Sequence, residues 1–228
     1  MTTKRCWSAL VLFGLLCASR GAGQSLADYD YTNLRFRGVG ADLGFIWPNK
    51  VESTPAYSLR LDLGYLGPGV RIVPSVTYWS STFKDGELAR LADQLNRLPA
   101  LQARNVVIDA DEMGTIDWSN LSLAVDAQFV WTTPFRVTTY AGGGLGLHIL
   151  NGRGSAVAGT FVEDLLDSTA AGAAAMAGLE LQPFTHFRLY AEARYSLLSD
   201  IRYPGMRVGG SWMLAPRVTA AAGTQGGR

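Results

Sequence analysis

Between Tyr57 and Tyr65 the chain reads YSLRLDLGY, where Tyr57, Leu59, Leu61, Leu63 and Tyr65 alternate with Ser58, Arg60, Asp62 and Gly64. A period of two puts one set of side chains on each face of an extended strand. Eight segments share the pattern, at about Leu34–Trp47, Ala56–Leu66, Val70–Phe83, Ile116–Thr132, Phe135–Leu150, Thr169–Leu181, His186–Leu197 and Tyr203–Leu214. In the fourth, Leu121, Leu123, Val125, Ala127, Phe129 and Trp131 oppose Ser122, Ala124, Asp126 and Gln128. In the seventh, Phe187, Leu189, Ala191, Ala193, Tyr195 and Leu197 oppose His186, Arg188, Tyr190, Glu192, Arg194 and Ser196. The connections alternate too. The second, fourth and sixth are tiny (Gly67–Gly69, Thr133-Pro134, Gln182–Thr185), while the others are longer and the third runs from Lys84 to Thr115.

Short turns at one end and long loops at the other form the layout of bacterial outer-membrane barrels. Eight strands make a barrel whose interior side chains alone can fill. The expected fold is therefore all-β, an eight-stranded antiparallel up-and-down transmembrane β-barrel with short periplasmic turns and long extracellular loops. The leucines of YSLRLDLGY then face lipid, and Arg60 and Asp62 face inward. Parity extends the inward charged set to Asp42, Arg60, Asp62, Arg71, Asp126, Arg136, Glu180, Arg188, Glu192, Arg194 and Arg207. Six arginines against five carboxylates predict a network that fills the lumen, because a charge-selective pore would carry one sign.

The apolar face carries aromatic residues near the strand ends. Trp47, Tyr57, Tyr78 and Tyr195 fall at the long-loop end, and Tyr65, Trp131, Phe187 and Trp212 at the short-turn end. Two such girdles suit an apolar band about 25 Å tall, since amphipathic aromatics settle at its interfaces. Gly38, Gly40, Gly44, Gly142, Gly143, Gly144 and Gly146 lie inside strands, where they relieve crowding in a narrow curved barrel. AGGGLG is no phosphate loop, for no helix and no Lys-Ser/Thr pair follows it.

Lys4 and Arg5 precede the apolar run ALVLFGLLCA from Ala9 to Ala18, and Gly21-Ala22-Gly23 follows. That order predicts a signal peptide over residues 1–23, cleaved after Gly23 or alternatively after Ser19. The run is too short to span a bilayer. The barrel occupies residues 24–214, and 215–228 form a flexible tail. Cys6 and Cys17 both lie in the removed segment, and Leu16 stands where a lipoprotein signal wants a small residue. The mature chain then has no thiol, disulfide or Cys-ligated metal site. Without Lys4, Arg5 and Arg20 it carries 17 basic against 19 acidic residues, so no basic surplus points to nucleic acid. No cofactor is expected. The expected partners are outer-membrane lipid, lipopolysaccharide and the assembly machinery, with the partner of the loops unassigned.

Within the third connection Leu88, Leu91, Leu95 and Leu98 share one face of a helix from about Gly86 to Leu98, ended by Pro99. This stripe is expected to pack on the barrel rim. Farther on, NVVIDADEMG carries Asp109, Asp111 and Glu112 without the spacing of an EF-hand, and reads as a solvated acidic loop. His148 points inward by parity and His186 begins the seventh strand, and both read as structural rather than catalytic.

AGLELQPFTHFRLYAEARYSLLSD, Ala177 to Asp200, resembles the penultimate hairpin of the barrel domain shared by OmpA-, OmpX- and OmpW-like outer-membrane proteins. YAGGGLGLHI, Tyr140 to Ile149, resembles the glycine-rich fifth strand of that group. The resemblance implies a non-enzymatic barrel, without the peptidoglycan-binding domain of full OmpA-like proteins, that anchors and displays surface loops. Family members usually end on an aromatic used in assembly recognition, whereas MRVGGSWML ends on Leu214 with Trp212 two positions earlier. The alternatives are an OmpW-like conduit for small apolar solutes, a lipid A-modifying enzyme using His with Ser and a carboxylate, and a soluble lipocalin-like binder.

Overall fold

The computed structural model describes residues 34–67, 69–97, 99, 114–133, 137–154, 167–199 and 201–214. The signal peptide, the C-terminal tail, Arg136 and the acidic stretch with Asp109, Asp111 and Glu112 lie outside the described residues. Eight strands are present: β1 (Leu34–Ile46), β2 (Thr54–Gly67), β3 (Val70–Thr82), β4 (Asp117–Thr132), β5 (Thr138–Arg153), β6 (Ser168–Phe184), β7 (Phe187–Leu198) and β8 (Arg202–Met213). One helix, α1 (Asp85–Asn96), lies between β3 and β4. Each strand pairs antiparallel with the next and β8 pairs back on β1, so the barrel is closed and up-and-down. Closure leaves no strand edge exposed, which is the condition for placing a sheet in hydrocarbon.

Alternation in the sequence becomes inside and outside. Leu59, Leu123, Leu145 and Val208 are among the exposed apolar side chains of the outer wall, with Leu145 at 73%. Asp126 and Gln128, on the other face of β4, are fully buried at 0%. A soluble barrel would show the reverse arrangement, with leucines inside and charges in water.

Strand bounds differ from the sequence reading mainly at the short turns. β6 continues through Gln182 and Pro183 to Phe184, leaving Thr185-His186 as the turn, and β5 starts at Thr138. Pro183 sits where the β6–β7 register shifts, between Leu181 and Phe184, a place where a missing N–H is tolerated.

A second shift, in β2–β3 between Arg60 and Tyr65, changes a facing. Gly64 has φ of 76°, a conformation that glycine alone adopts cheaply. Its N–H donates to Asp62 Oδ1 at 2.8 Å. The chain therefore slips by one, and Tyr65 comes opposite inward-facing Arg71. Tyr65 lines the lumen beside Thr138, Glu180 and Arg188 rather than joining the outer girdle. Simple parity fails there because it assumes an unbroken ladder.

At the long-loop end α1 lies over the barrel mouth. Asp85 and Glu87 occupy its first turn, where negative charge favours the helix dipole. Leu88, Ala92 and Leu95 are buried, packed with Val51, Phe83, Ile116, Trp118, Leu150 and Ile201. Trp79 and Tyr203 rise from the wall below and meet edge to face at 5.9 Å. Lys84, just before the helix, donates from Nζ to the carbonyl of Pro48 at 2.8 Å, tying α1 to the β1–β2 loop. Leu98 lies outside the described residues.

Candidate functional site

The strands aim a dense set of charged side chains into the lumen. Nearest the short-turn end, Arg71 on β3 reaches across to Glu180 on β6, with Nη1–Oε2 at 2.9 Å and Nη2–Oε1 at 2.5 Å. Its Nε and Nη2 also donate to Gln128 Oε1, at 3.1 and 2.6 Å. Arg188 on β7 donates to Asp62 on β2 at 3.1 Å, and Arg71 lies 3.9 Å from the same carboxylate.

One level higher, Glu192 is a hub. Arg207, its cross-strand partner on β8, donates to Oε1 from Nε at 3.0 Å and from Nη2 at 2.6 Å. Tyr140 on β5 donates its hydroxyl to Oε2 at 2.8 Å. Arg60 on β2 stands 3.6 Å from Oε2 and stacks over the Tyr190 ring at 4.3 Å. Stacking supplies a cation–π contact where no conventional acceptor meets the guanidinium tip. Arg194 on β7 grips Asp126 on β4 with two hydrogen bonds, 2.7 and 3.0 Å. Tyr190 donates to Asp42 on β1 at 2.7 Å.

These contacts join opposite walls. β3 to β6, β4 to β7 and β2 to β7 are strands three or more apart around an eight-membered ring. Five arginines meet five carboxylates among the described residues, so charge balances locally. Desolvating so many ions is costly unless they are paired and hydrogen-bonded, and forked arginine–carboxylate contacts do that for Arg71, Arg194 and Arg207.

Of the inward set read from the sequence, Asp42, Arg60, Asp62, Arg71, Asp126, Glu180, Arg188, Glu192, Arg194 and Arg207 stand in this network, while Arg136 lies outside the described residues. On the outer face Trp47, Tyr57, Tyr78, Trp131, Tyr195 and Trp212 are exposed. Phe187 is half-buried, because its ring lies across the bare backbone of Gly210. The neutral members Gln128, Tyr140 and Tyr190 were not singled out from the sequence, although they share parity with Asp126, Gly142 and Glu192. The apolar layer of Trp79, Trp118 and Tyr203 beneath α1 was also not singled out. Trp79 had the signal, since alternation places it opposite outward Tyr78.

His148 is buried inside β5, and its Nδ1 lies 3.3 Å from Asn120 Oδ1 rather than against a carboxylate. His186 stacks on Trp212 with ring centroids 6.2 Å apart at the short-turn end. Among the described residues no cluster of three or more His, Cys, Asp or Glu is placed to hold a metal ion.

No protein-family model matches the chain, and no curated protein matches it in sequence. Solved structures do match. Neisserial surface protein A aligns with a TM-score of 0.50 at 17% identity, over 77% of this chain and 96% of that one. The attachment invasion locus protein Ail of Yersinia pestis, solved with the heparin analogue sucrose octasulfate, aligns with a TM-score of 0.44 at 14% identity, over 79% and 99%. The N-terminal β-barrel domain of Pseudomonas aeruginosa OprF aligns with a TM-score of 0.42 at 13% identity, over 77% and 97%. The chain shares the fold of the small eight-stranded outer-membrane β-barrels.

Proposed function

We propose that this protein is a non-enzymatic outer-membrane β-barrel that serves as a structural anchor and carries its long loops on the cell surface. The observation behind this reading is the set of arginine–carboxylate bridges that cross the lumen between opposite walls, as expected of an eight-stranded barrel filled by its own side chains. A buried apolar layer under α1 supports the same reading at the long-loop end. The outward leucines and exposed girdle aromatics fit a lipid setting. An even strand count puts both ends of the barrel on the short-turn side, which is periplasmic in this orientation. The loop between β3 and β4 and its neighbours are then extracellular, beside lipopolysaccharide.

An OmpW-like conduit for small apolar solutes would need an apolar lumen or a lateral opening, whereas arginine–carboxylate pairs cross the lower levels of this lumen. A catalytic reading has little to stand on, for His148 is directed away from lipid and paired with an amide.

Planar-bilayer recording with the purified monomer tests the anchor reading. The expected result is no steady conductance. A reproducible single-channel level would overturn it, and so would flux of small apolar solutes into loaded liposomes.

A further inference from the structure

Alternation along β1 gives Arg37 an outward place, because Val39 and Leu43 farther up the strand are exposed on the outer wall. The β1–β2 register shifts between Leu34 and Gly38, however, and Phe36 takes an exposed position instead. Arg37 comes over the ring of Tyr65, 5.2 Å from its centroid, at the short-turn mouth of the lumen. Tyr65 lines a small recess there with Thr138, Glu180, Gln182 and Arg188. The carboxylates of this level are already shared. Glu180 holds Arg71 at 2.5 Å with Arg188 at 4.0 Å, and Asp62 holds Arg188 at 3.1 Å with Arg71 at 3.9 Å. Among the described residues no carboxylate lies within ion-pair distance of Arg37. Three cations therefore face two carboxylates. Stacking on Tyr65 attracts the guanidinium but does not neutralise it.

The sequence carries the same bias at this end of the barrel. The start of β1, the three short turns and the stretch after β8 hold Arg35, Arg37, Arg136, Arg217 and Arg228, and no acidic side chain. The acids belonging to this end are Asp28 and Asp30, in residues 24–33 between the expected signal-peptide junction and β1. Asp30 precedes Leu34 by four residues and Asp28 by six, so an extended chain carries them about 13 and 20 Å from the strand. That reach is ample for the mouth of a barrel only wide enough for side chains. A short tether also holds such groups near their target at millimolar effective concentration. We propose that residues 24–33 fold back over the short-turn mouth and dock there through Asp28 and Asp30, as a tethered anionic plug. Arg37 is the inner contact, and Arg35, exposed two residues before it, is the outer one. An anionic phospholipid is the weaker occupant, because Arg37 stacks on a lumen residue rather than standing among the outer side chains. The lumen is then covered at both ends, by α1 at one and by residues 24–33 at the other. This goes beyond the anchor reading and does not depend on it.

Paramagnetic NMR on the mature protein in zwitterionic micelles tests the docking. A nitroxide is attached at Ala27→Cys, residues 24–228 holding no cysteine of their own. Amide signals of Tyr65, Thr138 and Gln182 should lose at least half their intensity, while those of Ser80 and Thr82 at the long-loop end keep theirs. Adding Asp28→Asn and Asp30→Asn to the labelled chain should restore most of the lost signal, and so should Arg37→Gln from the barrel side. Full intensity in the labelled chain without these changes overturns the proposal. Equal broadening after neutralisation overturns it too, since the tether alone would then explain the proximity. Nitroxide-labelled chains mixed with isotope-enriched unlabelled ones should give no broadening, and its appearance would make a second copy the occupant. Loss of the broadening when phosphatidylglycerol is added to the micelles would make an anionic lipid the occupant and overturn the proposal likewise.

Discussion

Replacing Glu192 by alanine should be among the most damaging single changes in the lumen. Its side chain is 0% exposed and accepts two hydrogen bonds from Arg207 and one from Tyr140, with Arg60 at 3.6 Å and Arg194 at 3.9 Å. Removing one partner of a buried ion pair costs about 3–5 kcal/mol, because the other charge stays behind unpaired. Here more than one cation is left, and Arg194 alone keeps a full partner in Asp126. Some relaxation is available, since Asp42 and Asp126 lie 3.9 and 4.0 Å from Arg207 and could take up part of its charge. The expected loss is therefore about 3 kcal/mol, at the lower end of that range. Equilibrium urea unfolding in lipid vesicles measures it as a shift in midpoint at unchanged slope. The companion variant Glu192→Leu/Arg207→Met should recover part of the loss, because it removes both members of the tightest pair. A loss below about 1 kcal/mol for Glu192→Ala would refute the reasoning, since that is the size of an exposed pair. The hub would then be water-accessible and the lumen less closed than its geometry implies.

Leu123→Arg, on the exposed outer face near mid-wall, should cost roughly 2–4 kcal/mol of folding stability in vesicles, whereas equal folding yields to the wild type would refute its lipid-facing position. Gly144→Ala would drive a Cβ into Asp126 Oδ1, which accepts from Arg194, so the Asp126 side chain must shift; overpacking of this kind costs about 1–3 kcal/mol, and urea midpoints check it. Leu95→Asp puts a charge on the buried stripe of α1 and should speed proteolysis within the helix while the barrel midpoint stays put, because local opening need not cross to the strands. An epitope inserted at Asp111 should be labelled on intact cells, and labelling only after the outer membrane is opened would invert the orientation.

Where the ladder is unbroken, facing in the structure follows alternation in the sequence. β4 pairs with β3 and β5 without a shift, and Leu121 through Trp131 face outward in strict turn. Tyr65 departs because one left-handed glycine moves it by a residue, and nothing in a period-two pattern marks which glycine will do so. α1 was legible through its leucine stripe, although it ends at Asn96 rather than running to Leu98 before Pro99, but its docking surface was not. That surface is assembled from Val51, Ile116 and Ile201, single residues in three different connections that show no periodicity. The pairing of arginines with carboxylates is set by which strands oppose each other across the ring, a property of closure that no local window contains.

The ladder between β8 and β1, from Gly38 opposite Met213 to Ile46 opposite Gly205, differs in kind from the other seven. Those join neighbours in the chain and can form as local hairpins, whereas this one joins the two ends of the sheet. It is also poor in side chains, with Gly38, Gly40 and Gly44 on one strand and Gly205, Gly209 and Gly210 on the other. On the inner face Asp42 meets Arg207 across that seam as an ion contact at 3.9 Å, and backbone hydrogen bonds carry much of its closure. Until they form, the polypeptide is a curled sheet with two raw margins, each a template for the other or for a second molecule. Deleting β8 would thus yield no slightly smaller barrel, but an open sheet prone to self-association, so closure is an all-or-none event that waits on this strand.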